Sequence, residues 1–286
     1  MDVSRLGSVV ATRWGAASDI GPVRSMNEDA WVAASPLFAV ADGMGGHAGG
    51  ERASQTGLRV LRQRLGQEAL EGKVPTVDDV EAAITEAAQQ VAALAHSSDP
   101  YRSPGTTLTG AMALLGPPVP YWLIFNIGDS RTYLVADGNI QQITKDHSAR
   151  QEARDFEAAT GISVPLPPSN VVTRALGAGM AGIPSADYFR VPMRQGDYLV
   201  ISSDGMHGAV TDEVIAEVVT QGQDPQSIAA ELIRRALGAG TRDNATVIVV
   251  EAQRVVGDHS LVTIQGTARP IYSVTPIPTA TVRRKA

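Results

Sequence analysis

The sequence predicts a protein of mixed strands and helices, and three observations predict it. Apolar runs of strand length recur from Trp14 to Glu251, separated by short polar turns. Two stretches of helical period, one through Leu58 and Leu61 and one through Val80 and Ile84, interrupt the strands and should cover a sheet face. Several strands also run abruptly into a carboxylate followed by glycine, so an acid is delivered to the strand's open end.

In chain order, Trp14–Ser18 and Ala30–Ala34 are predicted strands flanking a polar connection in which Arg24, Asn27, Glu28 and Asp29 crowd together. Leu37–Ala41 is a third apolar run that ends on Asp42. The glycines at 43, 45, 46 and 49 then let the backbone pass close to whatever Asp42 holds. An isolated Asp-Gly is usually a turn, so the assignment depends on the rest of the chain. Gly43 to Ala48 also fits a loose G-x-G-x-x-A dinucleotide pattern. Against that reading, Asp42 would put a negative charge where a pyrophosphate must lie, and no strand ending in an acid follows about 20 residues on. A helix is expected from Arg52 through Leu65, and a second from Val77 to Leu94 with Thr76 as its cap.

Thr106–Leu115, Tyr121–Ile127 and Arg131–Val135 read as successive strands, with Asp129 at the end of the second. Asp137-Gly138 makes a tight hairpin to Asn139–Ile143, and this Asp-Gly is assigned to structure alone. Asp146-His147-Ser148 opens a helix-leaning segment. Gly161–Asn170, with three prolines, is expected to be a surface flap, taken in its wider extent as about 148–182. Asp187–Val191 and Asp197–Ser203 are further strands, the latter ending at Asp204-Gly205 in an apparent repeat of the layout around Asp42. A capped helix from Thr211, another over Pro225–Leu237 and a closing strand Thr246–Glu251 complete the body, with Asp243-Asn244 at the last strand's mouth.

Composition removes whole classes of function. The chain has 286 residues and no cysteine, which excludes disulfides, zinc–thiolate sites, cysteine phosphatases and cysteine proteases. Its net charge of −6 argues against a general nucleic-acid binder. The last segment, 253–286, is basic and carries prolines amid Thr and Ser; it reads as an extended tail, with Leu261–Ile264 as its only strand candidate. The longest nearly apolar span, Leu108–Phe125, is broken by Gly116-Pro117-Pro118-Val119-Pro120, and no signal sequence is visible. A cytoplasmic protein without a membrane span is expected.

Asp42, Asp129, Asp204 and Asp243 thus stand at or beside strand ends, with Glu28 and Asp29 in a polar loop. If one sheet edge gathers them, two carboxylates about 4 Å apart repel by roughly 4 kcal/mol at an effective dielectric of 20, so the cluster needs cations or raised pKa values. Oxygen-only ligands suit Mg²⁺ or Mn²⁺, and a pair of such ions is a common device for attack on phosphorus.

Arg24-Ser-Met-Asn-Glu-Asp29, Asp42-Gly-Met-Gly-Gly46, Gly105-Thr-Thr107, Gly128-Asp-Ser-Arg131, Asp146-His147, Ser203-Asp-Gly205 and Asp243-Asn244 occur in the order and approximate spacing of the metal-dependent serine/threonine phosphatases of the protein phosphatase 2C family. Each motif alone is weak, but seven in order over about residues 13 to 252 are specific, and the chain most resembles the compact bacterial members. The resemblance implies an α+β fold: a four-layer αββα sandwich of two mainly antiparallel sheets flanked by helices, occupying 1–252. It further implies that Asp42 bridges two Mn²⁺ or Mg²⁺ ions, that Gly43 supplies a carbonyl, and that Asp204 and Asp243 complete the first ion's shell. Glu28 would hold water on the second ion, Asp129 with Asp204 would bind a third, weaker ion, and Arg24 would take the substrate phosphate.

The implied reaction is direct hydrolysis of phosphoserine or phosphothreonine by a hydroxide between the metals. Phosphorylated proteins, serine/threonine kinases among them, are the implied partners of a monomer. Met44 stands where animal relatives have a histidine as general acid, and His47 reads as a loop residue. Two other readings share the site: a pseudophosphatase, disfavoured because every metal-position acid is present, and a hydrolase of small phosphate esters, which would differ in the flap.

Overall fold

A computed structural model describes residues 10–45, 49–70, 75–95, 103–116, 119–180, 182–222, 224–256 and 275–276. Its first hairpin joins β2 (Asp29–Ala34) to β3 (Leu37–Met44), and β5 (Leu108–Leu114) and β6 (Tyr121–Ile127) extend the sheet antiparallel, with β10 (Asp187–Pro192) beyond them. The two-residue strands β4 (Gly105–Thr106), β9 (Leu176–Gly177) and β13 (Thr275–Pro276) complete this sheet at its margins. A second, five-stranded antiparallel sheet has the order β1 (Val10–Asp19), β12 (Ala245–Val255), β11 (Tyr198–Ser202), β7 (Arg131–Ala136), β8 (Asn139–Gln142).

The two-residue period of the strands sorts their side chains into layers. On β3, Leu37, Ala39 and Ala41 pack under helices α1 (Gly49–Leu70) and α2 (Val77–Ala92), while Phe38 and Val40 point into the space between the sheets. On β12, Ile248, Val250 and Ala252 fill that same space, and Val247 and Val249 face α5 (Asp212–Gln221) and α6 (Pro225–Gly238). Three apolar cores separate four layers, which is the expected αββα sandwich. Thr76 caps α2 through a reciprocal bond with Asp79, as its sequence predicts.

The elements differ from expectation in several places, four of which bear on the site and its frame. β3 continues past Asp42 because Gly43 and Met44 still pair with Thr106 and Gly105. β12 runs to Val255, opposite Val10, and so crosses the expected domain boundary at 252. Thr211 stands at the start of α5 without a side-chain cap bond; Asp212 and Glu213 in the first turn face the helix's positive end instead. The Asp42 layout is not repeated at Asp204, since β11 stops at Ser202 and Asp204 opens a short helical turn, α4 (Asp204–His207). Between Asp146 and β10 lie α3 (Ala149–Thr160), capped by Ser148, and the irregular flap. His47, Leu261–Ile264 and nearly all of the tail lie outside the described residues. No helix among the described residues is long and apolar enough to cross a membrane.

Candidate metal centre

The inner faces of the strands change chemistry toward one end of the sandwich. Two residues beyond Val40 on β3 comes Asp42; two before Ala111 on β5 comes Thr109; two before Leu134 on β7 comes Thr132; two before Ile248 on β12 comes Thr246. The apolar inter-sheet core therefore ends in a hydroxyl layer. Thr109 and Thr132 bond across the sheets through their hydroxyls at 3.0 Å, and Thr107 and Ser130 do the same at 2.8 Å. The acids stand on this layer.

Asp42 is fixed through its backbone, leaving its carboxyl for other work. Its N–H donates to Thr107 Oγ1 at 3.0 Å, and its carbonyl accepts from the Thr107 N–H and the Thr106 hydroxyl, both at 2.9 Å. The two threonines thus hold the strand end in place behind the carboxyl. Gly43 donates its N–H to the Glu28 carbonyl at 3.2 Å, and a Cβ there would come within 2.3 Å of the Gly50 oxygen, so only glycine fits. Asp29 sits opposite Asp42 in the β2–β3 register and accepts the Ser203 hydroxyl at 2.7 Å, joining the two sheets. Asn27 accepts the Asp29 N–H and Asn244 accepts the Glu28 N–H, so both hold the loop. Asp243, at the mouth of β12, is paired with Arg24 at 2.5 Å.

The electrostatics of this end are those of crowded negative charge. Burial, then Asp29, Asp204, Asp129 and Asp243, push the Asp42 carboxyl well above the ordinary range. Asp129 is buried, and burial followed by the Asp204 charge pushes it up to about 7. Burial and then Asp243 raise Asp204, which a hydrogen bond with Asp42 partly offsets. Burial also raises Glu28, whose Oε1 is buried without a hydrogen-bond partner among the described residues. Arg24 lies at the mouth of the cluster, its guanidinium held by the Asp243 bond.

Six of the predicted site residues, Glu28, Asp42, Gly43, Asp129, Asp204 and Asp243, are brought to this one end with Arg24 beside them. They do not form a closed ligand shell: among the described residues no three acidic or histidine side chains converge as an ion's ligands, and Asp243 is turned onto Arg24. The donor set still fits hard divalent ions, because it is all oxygen, acid-rich, desolvated and short of positive charge. Reading by motif missed Ser203 as the bridge to Asp29, although its place two residues beyond Ile201 marks it as inward-facing. It also missed His207, whose Nε2 lies 3.1 Å from the Asp129 carbonyl and which burial pushes down to about 3, so the ring is neutral and donates.

A sequence profile described as protein phosphatase 2C matches residues 23–237. The serine/threonine protein phosphatase PstP of Mycobacterium tuberculosis is 34% identical over 273 residues, spanning 90% of this chain; the chain covers half of that relative's length. The serine/threonine phosphatase stp of Listeria monocytogenes is 31% identical over 82% of this chain and 93% of its own. Among solved structures, the catalytic domain of serine/threonine protein phosphatase PstP in complex with two manganese ions superposes with a TM-score of 0.65 at 35% identity, over 84% of this chain and 97% of that one.

Proposed function

Because the chain belongs to the protein phosphatase 2C family, we propose that it is a metal-dependent phosphatase acting on phosphoserine and phosphothreonine in proteins. The observation that carries this reading is the set of desolvated carboxyls between the sheets, Asp42, Asp129 and Asp204, each raised by burial and by neighbouring carboxylates, with the Arg24 guanidinium at their mouth. Such a set is costly without cations.

In this reading Asp42, the Gly43 carbonyl, Asp204, Asp243 and Glu28 are the groups that would hold two Mn²⁺ or Mg²⁺ ions, Asp204 and Asp243 serving the first and Glu28 the second. Asp129 with Asp204 would hold a third, weaker ion. When bound, the ions would offset the carboxylate charge and lower the pKa of a water, supplying hydroxide for attack on phosphorus at neutral pH. Arg24 leaves Asp243 to grip two phosphate oxygens with its fork, which orients the phosphorus for attack from the carboxylate side. Thr106, Thr107 and Ser203 keep Asp42 and Asp29 from drifting as charge enters and leaves. The substrates are phosphorylated proteins, serine/threonine kinases among them, and the enzyme works as a cytoplasmic monomer. Relatives named as serine/threonine phosphatases and a structural neighbour holding two manganese ions support the reading.

The test is hydrolysis of a phosphothreonine peptide by the full chain with Mn²⁺ and with excess EDTA. Turnover should vanish with the chelator and return with Mn²⁺. Undiminished activity in EDTA would refute the metal reading, and hydrolysis of nucleotides in preference to phosphopeptides would refute the substrate.

A further inference from the structure

The Asp146-His147 motif has no part in the chemistry above, yet it grips both ends of the segment that carries Asp129. Asp146 forms a two-pronged ion pair with Arg131, Nε to Oδ1 at 2.8 Å and a terminal nitrogen to Oδ2 at 2.7 Å. His147 holds Gly128 twice: its backbone N–H donates to the Gly128 carbonyl at 2.9 Å, and its ring Nδ1 accepts the Gly128 N–H at 3.1 Å. Two adjacent residues thus clasp Gly128-Asp129-Ser130-Arg131 from outside. Gly128 itself is at φ +106°, and a Cβ there would lie 2.6 Å from the Thr107 methyl, so this conformation of the loop requires glycine.

The ring also links the clasp to the flap. Since Gly128 donates to Nδ1, the proton of the neutral imidazole sits on Nε2, which donates to Asp187 Oδ2 at 3.0 Å. Arg174 donates to the other oxygen of Asp187 at 2.9 Å and to the Ser185 carbonyl at 3.4 Å. Its 3.1 Å approach to Nε2 is then a contact between two donors turned to one carboxylate. Arg174 lies just past the flap's closing bridge between Ser148 and Val172, and Thr173 donates its N–H to the His147 carbonyl at 2.8 Å. His147 is buried, whereas the Arg174 side chain is 43% exposed, so the chain of contacts runs from the surface inward.

We propose that His147 is a positioning residue that sets the Asp129 loop for its weakly held ion, and that Asp187 and Arg174 make this setting depend on where the flap's base sits. The proposal rests on the reading of Asp129 as a ligand of the third ion. Its consequence is that the flap tunes ion affinity without touching an ion.

Two measurements on the full chain test it: Mn²⁺ titration calorimetry, and hydrogen exchange of the Gly128 amide in metal-free protein. His147→Ala should speed Gly128 exchange and weaken the weakest Mn²⁺ step by about tenfold, as loss of a residue supporting a ligand commonly does, with the tighter steps unchanged. His147→Asn, whose side-chain oxygen can accept the Gly128 N–H, should restore most of the protection. Arg174→Ala, at the exposed end, should shift the weak step in the same direction by less, and it decides the matter if His147→Ala does not fold. A weak step present in the wild type and unchanged in both variants overturns the proposal while leaving the Asp129 reading intact. Absence of any weak step in the wild type overturns that reading and the proposal with it.

Discussion

Asp42-Gly43 and Asp137-Gly138 are the same dipeptide at the end of an apolar strand, and the fold uses them in opposite ways. Asp137 and Gly138 both have positive φ, +50° and +75°, the pattern of a two-residue hairpin turn between β7 and β8. The Asp137 side chain is 67% exposed and reaches Arg194 only at 3.9 Å. Asp42 is still inside β3, its carboxyl among four other acids, and Gly43 is required by close backbone approach rather than by a turn. The local pair does not decide which use is made. What decides it is the direction of the strand's inner face and whether other strands bring polar residues to the same end.

The sharpest way to break this comparison is to substitute Asn at each position, since Asn keeps size and turn preference and removes only charge. On the proposed reading, Asp42→Asn should lose several orders of magnitude of phosphopeptide turnover at saturating Mn²⁺, because the carboxylate that would hold the cations is gone. Folding is checked by circular dichroism. Comparable activity in Asp42→Asn and wild type would return Asp42 to an ordinary strand end.

A second substitution separates the glycines. A Cβ at Gly43 meets the Gly50 carbonyl oxygen at 2.3 Å and the Glu28 carbonyl oxygen at 2.6 Å, both backbone, so neither can swing away. Gly43→Ala should cost several kcal/mol, in the range of severe overpacking, and should cut Mn²⁺ affinity with it. Thermal unfolding read with and without Mn²⁺ would expose both effects, and a melting point within about 2 °C of wild type, less than about 1 kcal/mol, would contradict the packing argument.

The third effect is smaller and concerns pH. Asp129 is raised to about 7 in the fold, against an ordinary value of about 3.9 in the unfolded chain. Between those values the folded state holds a proton that the unfolded state has released. In metal-free protein the Asp129 contribution to stability should therefore be fully present below about pH 4, fall as pH rises toward 7, and level off above it. Asp129→Asn should flatten the slope by a few kcal/mol across that interval, measured by urea unfolding in EDTA. A stability that rises with pH over the same range would mean the carboxyl is not desolvated as described.

Much of this was legible in the residues because the strands obey a strict period of two. The hairpin at Asp137, the strand Tyr121–Ile127, and the cap at Thr76 follow from local chemistry alone. The site acids were legible from ordered motifs, each marked by an acid beside glycine, serine or asparagine. What local reading did not yield was decided across the sheets. Ser203 looked like a second strand end, but it bonds Asp29 on the facing sheet and turns the chain into α4. The ion pair of Arg24 with Asp243 joins residues 219 apart in sequence, and no spacing rule reaches that far. Met44 and Gly43 stayed in β3 because β4 pairs with them, a partner too short to carry a pattern of its own.

The smallest effects belong to the hairpin, and they complete the contrast. Asn tolerates positive φ about as well as Asp and Asn-Gly favours the same two-residue turn, so Asp137→Asn should change neither turnover nor melting point measurably. Gly138 differs from Gly43 in kind: a Cβ there meets nothing within 4 Å, so the cost of Gly138→Ala is conformational alone, from φ +75°. That cost is roughly 1–2 kcal/mol, which in a domain of this size lowers the melting point by only a few degrees. Phosphopeptide turnover below the melting range should be unchanged, because β8 is the far edge of the five-stranded sheet and carries none of the acids. If Gly138→Ala instead matched Gly43→Ala in lost Mn²⁺ affinity, the two Asp-Gly pairs would be equivalent after all, and burial between the sheets would not be what distinguishes them.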